Sequence, residues 1–273
     1  MPPTAASRLN PITRLTGGLR RWRALGLNLL FPPVCSYCET ALDQPEFGQM
    51  VPPDRISAAL CPACHIQLQD RRPACRRCGS RLPNDSAAAD DCPQCQDSQR
   101  FSGVTRLGSY EGPLRLAVLR LKRAHERALA VALGDSLADY LASAIEARPE
   151  QMRFDVIVPI PMHWTRRARR GTNSAETIAA RLANRLRLPL APDLLARRRR
   201  TAPQASLSPG RRKANVRGAF RVRPHADLAG ARVLLVDDIL TTGATLNEAG
   251  KMFAKAGAAD VAVAVLARAE GQL

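Results

Sequence analysis

The sequence predicts an α/β fold: a parallel sheet flanked by helices, preceded by a small cysteine-rich module. Three observations carry the prediction. From about Phe101 onward, apolar runs of strand length alternate with apolar stripes at helical spacing. All eight cysteines fall between positions 35 and 95, among prolines and polar residues. Near the C-terminus an apolar run ends in two acids and a Thr/Gly turn that opens a helix. A chain of 273 residues with 45% hydrophobic content has room for one large domain and a small one. The expected division is a poorly ordered basic tail over 1–28, the cysteine module over 29–98 and the α/β domain over 101–273.

The elements of the larger domain follow in order. Val104 to Tyr110 reads as a strand, and Pro113 opens a helix that continues to about Lys122. Leu133, Leu137, Leu141 and Ile145 recur at helical spacing and mark a second helix. Phe154 to Ile160 is a buried-type strand, followed by a helix with the stripe Ala175, Ile178, Leu182 and Leu186. Arg232 to Val236 is a strand, Leu246, Ala249, Phe253 and Ala256 a helical stripe ending at Gly257, and Val261, Val263 and Val265 a last strand. Repeated β-α-β order implies parallel strands with helices on both faces. Between about 197 and 218 lies a long Arg/Pro/Ser/Gly stretch without apolar periodicity, which reads as a functional or mobile loop.

The cysteines form four pairs of one spacing: Cys35 and Cys38, Cys61 and Cys64, Cys75 and Cys78, Cys92 and Cys95. A Cys-x-x-Cys knuckle turns the chain so that both sulfurs reach one ion, and two knuckles complete a tetrahedral four-thiolate shell. Eight ligands make two zinc ions. Four protein ligands leave no open coordination position, so these zincs are structural and supply folding free energy that a segment this poor in apolar residues cannot supply itself. Sequential pairing of the knuckles is the default, and an interleaved arrangement is compatible with the same spacing. Disulfides are disfavoured by the lack of a secretion signal. Arg20, Arg21 and Arg23 ahead of the apolar run Leu25 to Phe31 imitate a signal peptide, but the run is short, broken by Gly26 and Asn28, and ends in Pro32 and Pro33. No stretch reads as a membrane span. The expectation is a cytoplasmic protein with reduced thiols and no membrane insertion.

The net charge of +17 suits a polyanionic partner. Apart from Lys122, Lys213, Lys251 and Lys255 the cations are arginines, and alanine is abundant, so biased codon usage is a competing source of the charge. Aromatic content of 4% leaves few platforms for base stacking.

The most informative stretch is Val233-Leu-Leu-Val-Asp-Asp-Ile-Leu-Thr-Thr-Gly-Ala-Thr-Leu246. Ligands of open parallel sheets bind at the carboxyl ends of the strands. There the N–H groups of the turn Thr241, Thr242, Gly243, Ala244 and Thr245, with the threonine hydroxyls, form a cradle for a phosphate monoester. Asp237 and Asp238 beside it can accept hydrogen bonds from vicinal sugar hydroxyls, directly or through magnesium.

This run resembles the phosphoribosyl diphosphate motif of type I phosphoribosyltransferases at every defining position. The wider pattern resembles the ComF (ComFC-like) proteins linked to bacterial competence, which join a double zinc ribbon to such a domain. Leu29-Leu-Phe-Pro-Pro-Val-Cys35 looks like their opening. Pro159-Ile-Pro161 followed by Arg166, Arg167, Arg169, Arg170 and Gly171 resembles their diphosphate-side loop. Thr201-x-x-Gln204-x-x-Leu207 and Arg211-x-x-x-Asn215-Val216-x-Gly218-Ala219-Phe220 resemble a further signature. The match spans residues 29 to 268. One departure stands out: the family's Gly-aromatic-Asn-Gln is here Gly171-Thr172-Asn173-Ser174.

The resemblance implies a type I phosphoribosyltransferase-like sheet that binds phosphoribosyl diphosphate with magnesium. Asp237 and Asp238 would hold the ribose hydroxyls, the 241–245 turn the 5′-phosphate, and Arg166 to Arg170 with Asn173 the diphosphate side. The implied reaction is pentosyl transfer, displacement of diphosphate by a nitrogen nucleophile, in DNA uptake or nucleotide metabolism. The competing expectation is a non-catalytic module of DNA uptake that keeps the phosphoribosyl site and works by binding single-stranded DNA or a DNA-uptake helicase. Four histidines, His65, His125, His163 and His225, are scattered, and only His163 lies near the site in sequence.

Overall fold

The computed structural model describes residues 32–42, 59–82 except 71, then 92, 94, 95, and 100–270 except 124, 164, 166, 168–170, 200, 202–207 and 225. The expected basic tail lies outside the described residues. The chain forms two compact units, 1–61 and 62–273. The larger takes in Cys64 and the second cysteine group together with the sheet.

In the first unit Val34 bridges Ala41 and Cys35 bridges Ala59. Cys35 N donates to Thr40 O (2.8 Å), Glu39 N to Cys35 O (2.9 Å) and Leu42 N to Pro33 O (2.8 Å). The second unit repeats this pattern forty positions on: Cys75 N to Ser80 O (2.8 Å), Gly79 N to Cys75 O (2.8 Å) and Leu82 N to Pro73 O (2.9 Å). Each knuckle needs one left-handed residue, supplied by Glu39 (φ 64°) and Gly79 (φ 73°).

Among the described residues of the larger unit there are six helices: α1 Pro62–Gln67, α2 Gly112–Arg120, α3 Arg127–Ala147, α4 Ser174–Leu186, α5 Pro209–Val216 and α6 Ala244–Lys255. The strands are β1 Gly103–Ser109, β2 Val156–Pro159, β3 Leu195–Arg197, β4 Phe220–Val222, β5 Arg232–Leu240 and β6 Asp260–Arg268. Four strands form a parallel sheet in the order β1-β6-β5-β2, and β3 pairs antiparallel with β4. The parallel, helix-flanked sheet read from the sequence is therefore present.

Strand side chains alternate between faces. Val233, Leu235, Val261, Val263 and Val265 pack with Leu246, Ala249 and Phe253 of α6 and with Leu195 and Phe220 of the β3–β4 ribbon. The other face takes α3 and α4, whose stripes Leu129, Leu133, Leu137, Leu141 and Ile178, Leu182 are buried. Arg181 and Arg185 of α4 pair with Asp135 and Asp139 of α3 at 2.6 and 2.7 Å, a matched step of one turn on each helix. α3 has the length and apolar content to cross a membrane, contrary to the expectation that no stretch would. Its alanine-rich sequence raises its hydropathy, while its leucine stripe is buried in this unit as in the core helix of a globular domain.

Two features differ from the sequence reading. The stretch expected to be one long loop, 197–218, holds α5 and is bracketed by β3, which ends at Arg197, and β4, which begins at Phe220. Its helix begins with Pro209 after an extended Ser208, and of residues 210–216 it buries Val216 alone, so it carries no apolar stripe to read. β5 also runs past Val236, through both acids to Leu240.

The edge strand β1 is covered by the chain leading from α1 into the second knuckle, with Asp70 N donating to Leu107 O (3.0 Å) and Val104 N to Arg76 O (2.8 Å). Asp70 anchors this cover. It accepts from Arg72 Nε (2.6 Å) and Ser109 Oγ (2.8 Å) and lies 3.6 Å from buried Arg106. Burial alone would raise its carboxyl, but the hydrogen bonds from Arg72 and Ser109 and the charge of Arg106 outweigh it and hold the group below the usual carboxylate range. A depressed folded-state value stabilises the fold above the unfolded value of about 3.9, and that contribution is lost as pH falls toward the folded value. Asp70→Asn is expected to cost on the order of 1–3 kcal/mol at pH 7, with the gap to wild type closing below about pH 4. Denaturant unfolding at several pH values checks this; a gap that does not change with pH would exclude the ionised carboxylate as the cause.

Candidate functional site

The site forms where the sheet loses a strand. β5 pairs with β2 from Val233 to Val236, and the ladder ends there with Pro159 opposite Val236 and Ile160 N donating to Val236 O (2.8 Å). On its other side β5 stays paired with β6 to Leu240 opposite Arg268. Among the described residues, 237–240 therefore have one neighbouring strand and one open edge. Pro161, without an N–H, cannot extend the β2 ladder.

Asp237 and Asp238 stand on this open-edged segment, on opposite faces because they are consecutive in a strand. Asp238 Oδ2 accepts from Ser174 Oγ (3.3 Å) at the start of α4. Asp237 Oδ1 accepts from Asp238 N (2.9 Å), and its nearby cation is Arg197 of β3. Burial, then the charge of Asp238, pushes the Asp237 carboxyl well above its ordinary value, with the backbone N–H of Asp238 and Arg197 pulling the other way. An acid held in this way favours a cation or hydroxyl donors beside it.

The chain then turns through Thr241, Thr242 and Gly243 into α6. Asp237, Thr241, Thr242, Gly243, Ala244 and Thr245 line an open pocket. Gly243 caps the helix in the left-handed region at φ 71°, which is why glycine serves here. The hydrogen bond from Asn247 N to Gly243 O (2.8 Å) opens the ladder of α6 at the turn, where the first N–H groups of a helix face outward from its end. α6 is itself pinned by Gly250, where a Cβ would stand 2.5 Å from Arg100 O, and by Arg100 N donating to Asn247 Oδ1 (2.8 Å).

Of the arginines read as the diphosphate side, Arg166, Arg169 and Arg170 lie outside the described residues. Arg167 is exposed, and its NH1 donates to Glu176 Oε1 (2.7 Å). Asn173 is the N-cap of α4: its Oδ1 accepts from Ala175 N (3.3 Å) and its Nδ2 donates to Ile160 O (3.2 Å), which ties the helix to the end of β2. His163 shares a hydrogen bond with Thr165 (2.9 Å), and His65 is held by Gln69 (2.8 Å). Three residues at the site were missed by sequence reasoning. Ser174 was noted only as a lost amide, and it reaches Asp238. Arg197 stacks on Phe220 (5.2 Å), donates to Thr201 Oγ1 (2.5 Å) and sits near Asp237, placed by a ribbon too short to read as strands. Tyr110, at the end of β1, has its hydroxyl raised by burial and by Asp238, against the pull of Arg115.

The eight cysteines form two groups of four. In Cys35, Cys38, Cys61 and Cys64, and in Cys75, Cys78, Cys92 and Cys95, the sulfurs of each group all lie within 4.8 Å of one another. The pairing is sequential. Individual separations are 3.8 Å for Cys38 to Cys61, 3.5 Å for Cys75 to Cys95 and 3.6 Å for Cys78 to Cys92. Disulfide sulfurs would stand about 2.0 Å apart, whereas four sulfurs about 2.3 Å from a central zinc stand about 3.8 Å apart. Burial and the neighbouring thiols push Cys92 and Cys95 up, a repulsion that a dication removes. Both groups thus have the donor set and spacing of a double zinc ribbon.

Comparison with known proteins agrees with this geometry. The phosphoribosyl transferase domain family matches residues 172–272. Competence protein F of Haemophilus influenzae is 32% identical over 213 residues, covering 77% of this chain and 90% of that protein. DNA utilization protein YhgH of Salmonella typhimurium is 30% identical over 241 residues, covering 88% of this chain and 99% of that protein. A purine phosphoribosyltransferase structure from Pyrococcus horikoshii aligns over 50% of this chain and 73% of that chain at 21% identity, with a TM-score of 0.32, too loose to add to the fold. With a phosphoribosyl transferase domain behind two four-cysteine groups, and full-length relatives at this level of identity, the chain belongs to the competence protein F family.

Proposed function

We propose that this protein binds phosphoribosyl diphosphate with magnesium at the open edge of β5 and serves DNA uptake or utilization, or nucleotide metabolism, in the cytoplasm. The observation that carries the reading is the acid pair and the Thr/Gly turn on one open-edged strand segment. The N–H groups and hydroxyls of Thr241 to Thr245 receive the 5′-phosphate, helped by the positive end of α6. Asp237 and Asp238 accept from the ribose hydroxyls. Arg166 to Arg170, and Arg197 beside Asp237, meet the diphosphate. Magnesium, when bound, neutralises the leaving group. In turnover the bond from C1 to the diphosphate oxygen breaks as a nitrogen nucleophile bonds to C1, and diphosphate leaves with the bonding pair.

Asp238→Asn is expected to keep its melting temperature while weakening the ligand, since Asp238 is part-exposed at a strand edge. Each charge-assisted hydrogen bond lost costs on the order of 1.5–3 kcal/mol, roughly ten- to a hundredfold in affinity. Calorimetric titration with magnesium and phosphoribosyl diphosphate checks it. Equal binding by the variant, or none by wild type at millimolar ligand, would remove the site assignment.

We further propose that both cysteine groups hold structural zinc. Metal analysis of protein purified without chelator is expected to give about two zinc ions per chain. A metal-free protein whose four cysteine pairs are oxidised would contradict it.

A second reading, binding of single-stranded DNA or of a DNA-uptake helicase without turnover, draws on the names of the relatives and on one surface. Arg198, Arg199, Arg211, Lys213, Arg217, Arg221 and Arg223 are all exposed on or beside α5 and the β3–β4 ribbon. Among the described residues, Asp193 lies 3.7 Å from Arg223 and Glu248 accepts from Gly218 N (2.8 Å). Micromolar or weaker affinity for single-stranded DNA is expected, falling steeply between low and moderate salt. Turnover with a panel of bases and no DNA binding at low salt would favour the enzyme reading alone.

A further inference from the structure

One buried side chain touches both the second cysteine group and the phosphate turn. Arg268, the last residue of β6, has no exposed surface. Its Nε donates to Cys78 O (3.0 Å) and its NH2 to Ser80 Oγ (3.3 Å), both in the second knuckle. Its NH1 donates to Thr241 O (2.8 Å), Leu240 O (3.4 Å) and Ala269 O. The guanidinium thus spans from the carbonyl of a metal-ligating cysteine to the first carbonyls of the turn.

The consequence follows from peptide geometry. A trans peptide plane points its C=O and its N–H in opposite directions. With the carbonyls of Leu240 and Thr241 held on Arg268, the N–H groups of Thr241 and Thr242 point away from the guanidinium. Both residues line the pocket. The knuckle is also packed directly on this side chain. A Cβ at Gly79 would meet Val104 Cγ1 at 2.7 Å and Arg268 Cδ at 3.8 Å. Four thiolates around one dication leave an excess of negative charge, so a buried guanidinium beside them is electrostatically matched when the metal is bound.

We propose that Arg268 is a positioning residue that couples metal binding at Cys75, Cys78, Cys92 and Cys95 to ligand binding at the Thr241 to Thr245 turn. Metal in the second group fixes the Cys78 carbonyl and the Ser80 hydroxyl, these orient the guanidinium, and the guanidinium sets the turn in its phosphate-receiving form. The coupling is reciprocal. It rests on the phosphoribosyl reading of that turn for the identity of the ligand, though not for the link itself.

The test measures three things on the full chain: zinc content, calorimetric affinity for phosphoribosyl diphosphate with magnesium, and amide hydrogen exchange of residues 240–246. Cys95→Ser is expected to lose one zinc, speed exchange across the turn and weaken the ligand roughly tenfold, within the usual range of coupling between sites. Arg268→Lys keeps a positive charge but cannot fork to both carbonyl sets. It is expected to retain both zincs and still show the faster exchange and the weaker ligand. Wild-type affinity and exchange in Arg268→Lys, or unchanged turn exchange in Cys95→Ser, would overturn the coupling. If Arg268→Lys does not fold, Ser80→Ala, which removes only the hydroxyl contact, is read by the same two criteria. A wild type that binds no phosphoribosyl diphosphate would sink the proposed function, while the exchange data would still decide the link.

Discussion

The site exists because β2 stops early. From Val233 to Val236 β5 is paired on both sides, and its residues are fully buried aliphatics. After Val236 the described residues offer no partner on one side, because Pro159 ends β2 and Pro161 has no N–H to continue the ladder. A central strand thereby becomes an edge strand for its last residues while β6 keeps it extended. Charge that would be prohibitive in the middle of the sheet is tolerable at this edge. Asp237 still feels the cost, since burial and Asp238 push its carboxyl up.

The cysteine segments solve a different problem with backbone hydrogen bonds. Among the described residues the second knuckle packs Leu82 against its own cysteines, a cluster far smaller than the sheet's core. What each has is the same set of three turn hydrogen bonds, placed forty positions apart and closing on sulfurs at metal-ligand spacing. That repetition makes the four-sulfur closure, not the apolar content, the organising element. Docked on β1 through Asp70 and Arg76, the second knuckle also blunts the sheet edge that would otherwise be open.

Much of this was readable in the sequence. Strands β1, β2, β5 and β6 announce themselves as aliphatic runs, and α3, α4 and α6 as stripes at helical spacing, because each buries one face. The cysteine spacing carried the two ligand groups, and the acid-Thr-Gly run carried the turn. What was hidden was hidden for physical reasons. Acids are poor strand formers, so the sequence ends β5 at Val236 when pairing with β6 carries it to Leu240. β3 and β4 are three residues each and α5 is mostly polar, so no periodicity could mark them. Asn173 reads as a ligand residue by its place in a motif; in the fold its amide caps α4 and holds Ile160 O. Arg268 closes an aliphatic strand, and nothing in its sequence neighbourhood says that its charge is buried.

The two kinds of buried charge in this unit are treated in opposite ways, and the contrast separates structure from function. Arg268 is surrounded by acceptors on both sides, from Cys78 O to Thr241 O, so a fully buried cation leaves little of its hydrogen-bonding capacity unmet. Asp238 accepts from the Ser174 hydroxyl and Asp237 from the backbone N–H of Asp238, while burial and the charge of Asp238 raise the cost of ionising Asp237. A satisfied charge fixes geometry; a buried acid crowded by a second acid favours a partner with donors or positive charge. Because Leu240 O and Thr241 O are the acceptors that satisfy the arginine, the residues that meet its charge are the ones that lead from the acid pair into the phosphate turn.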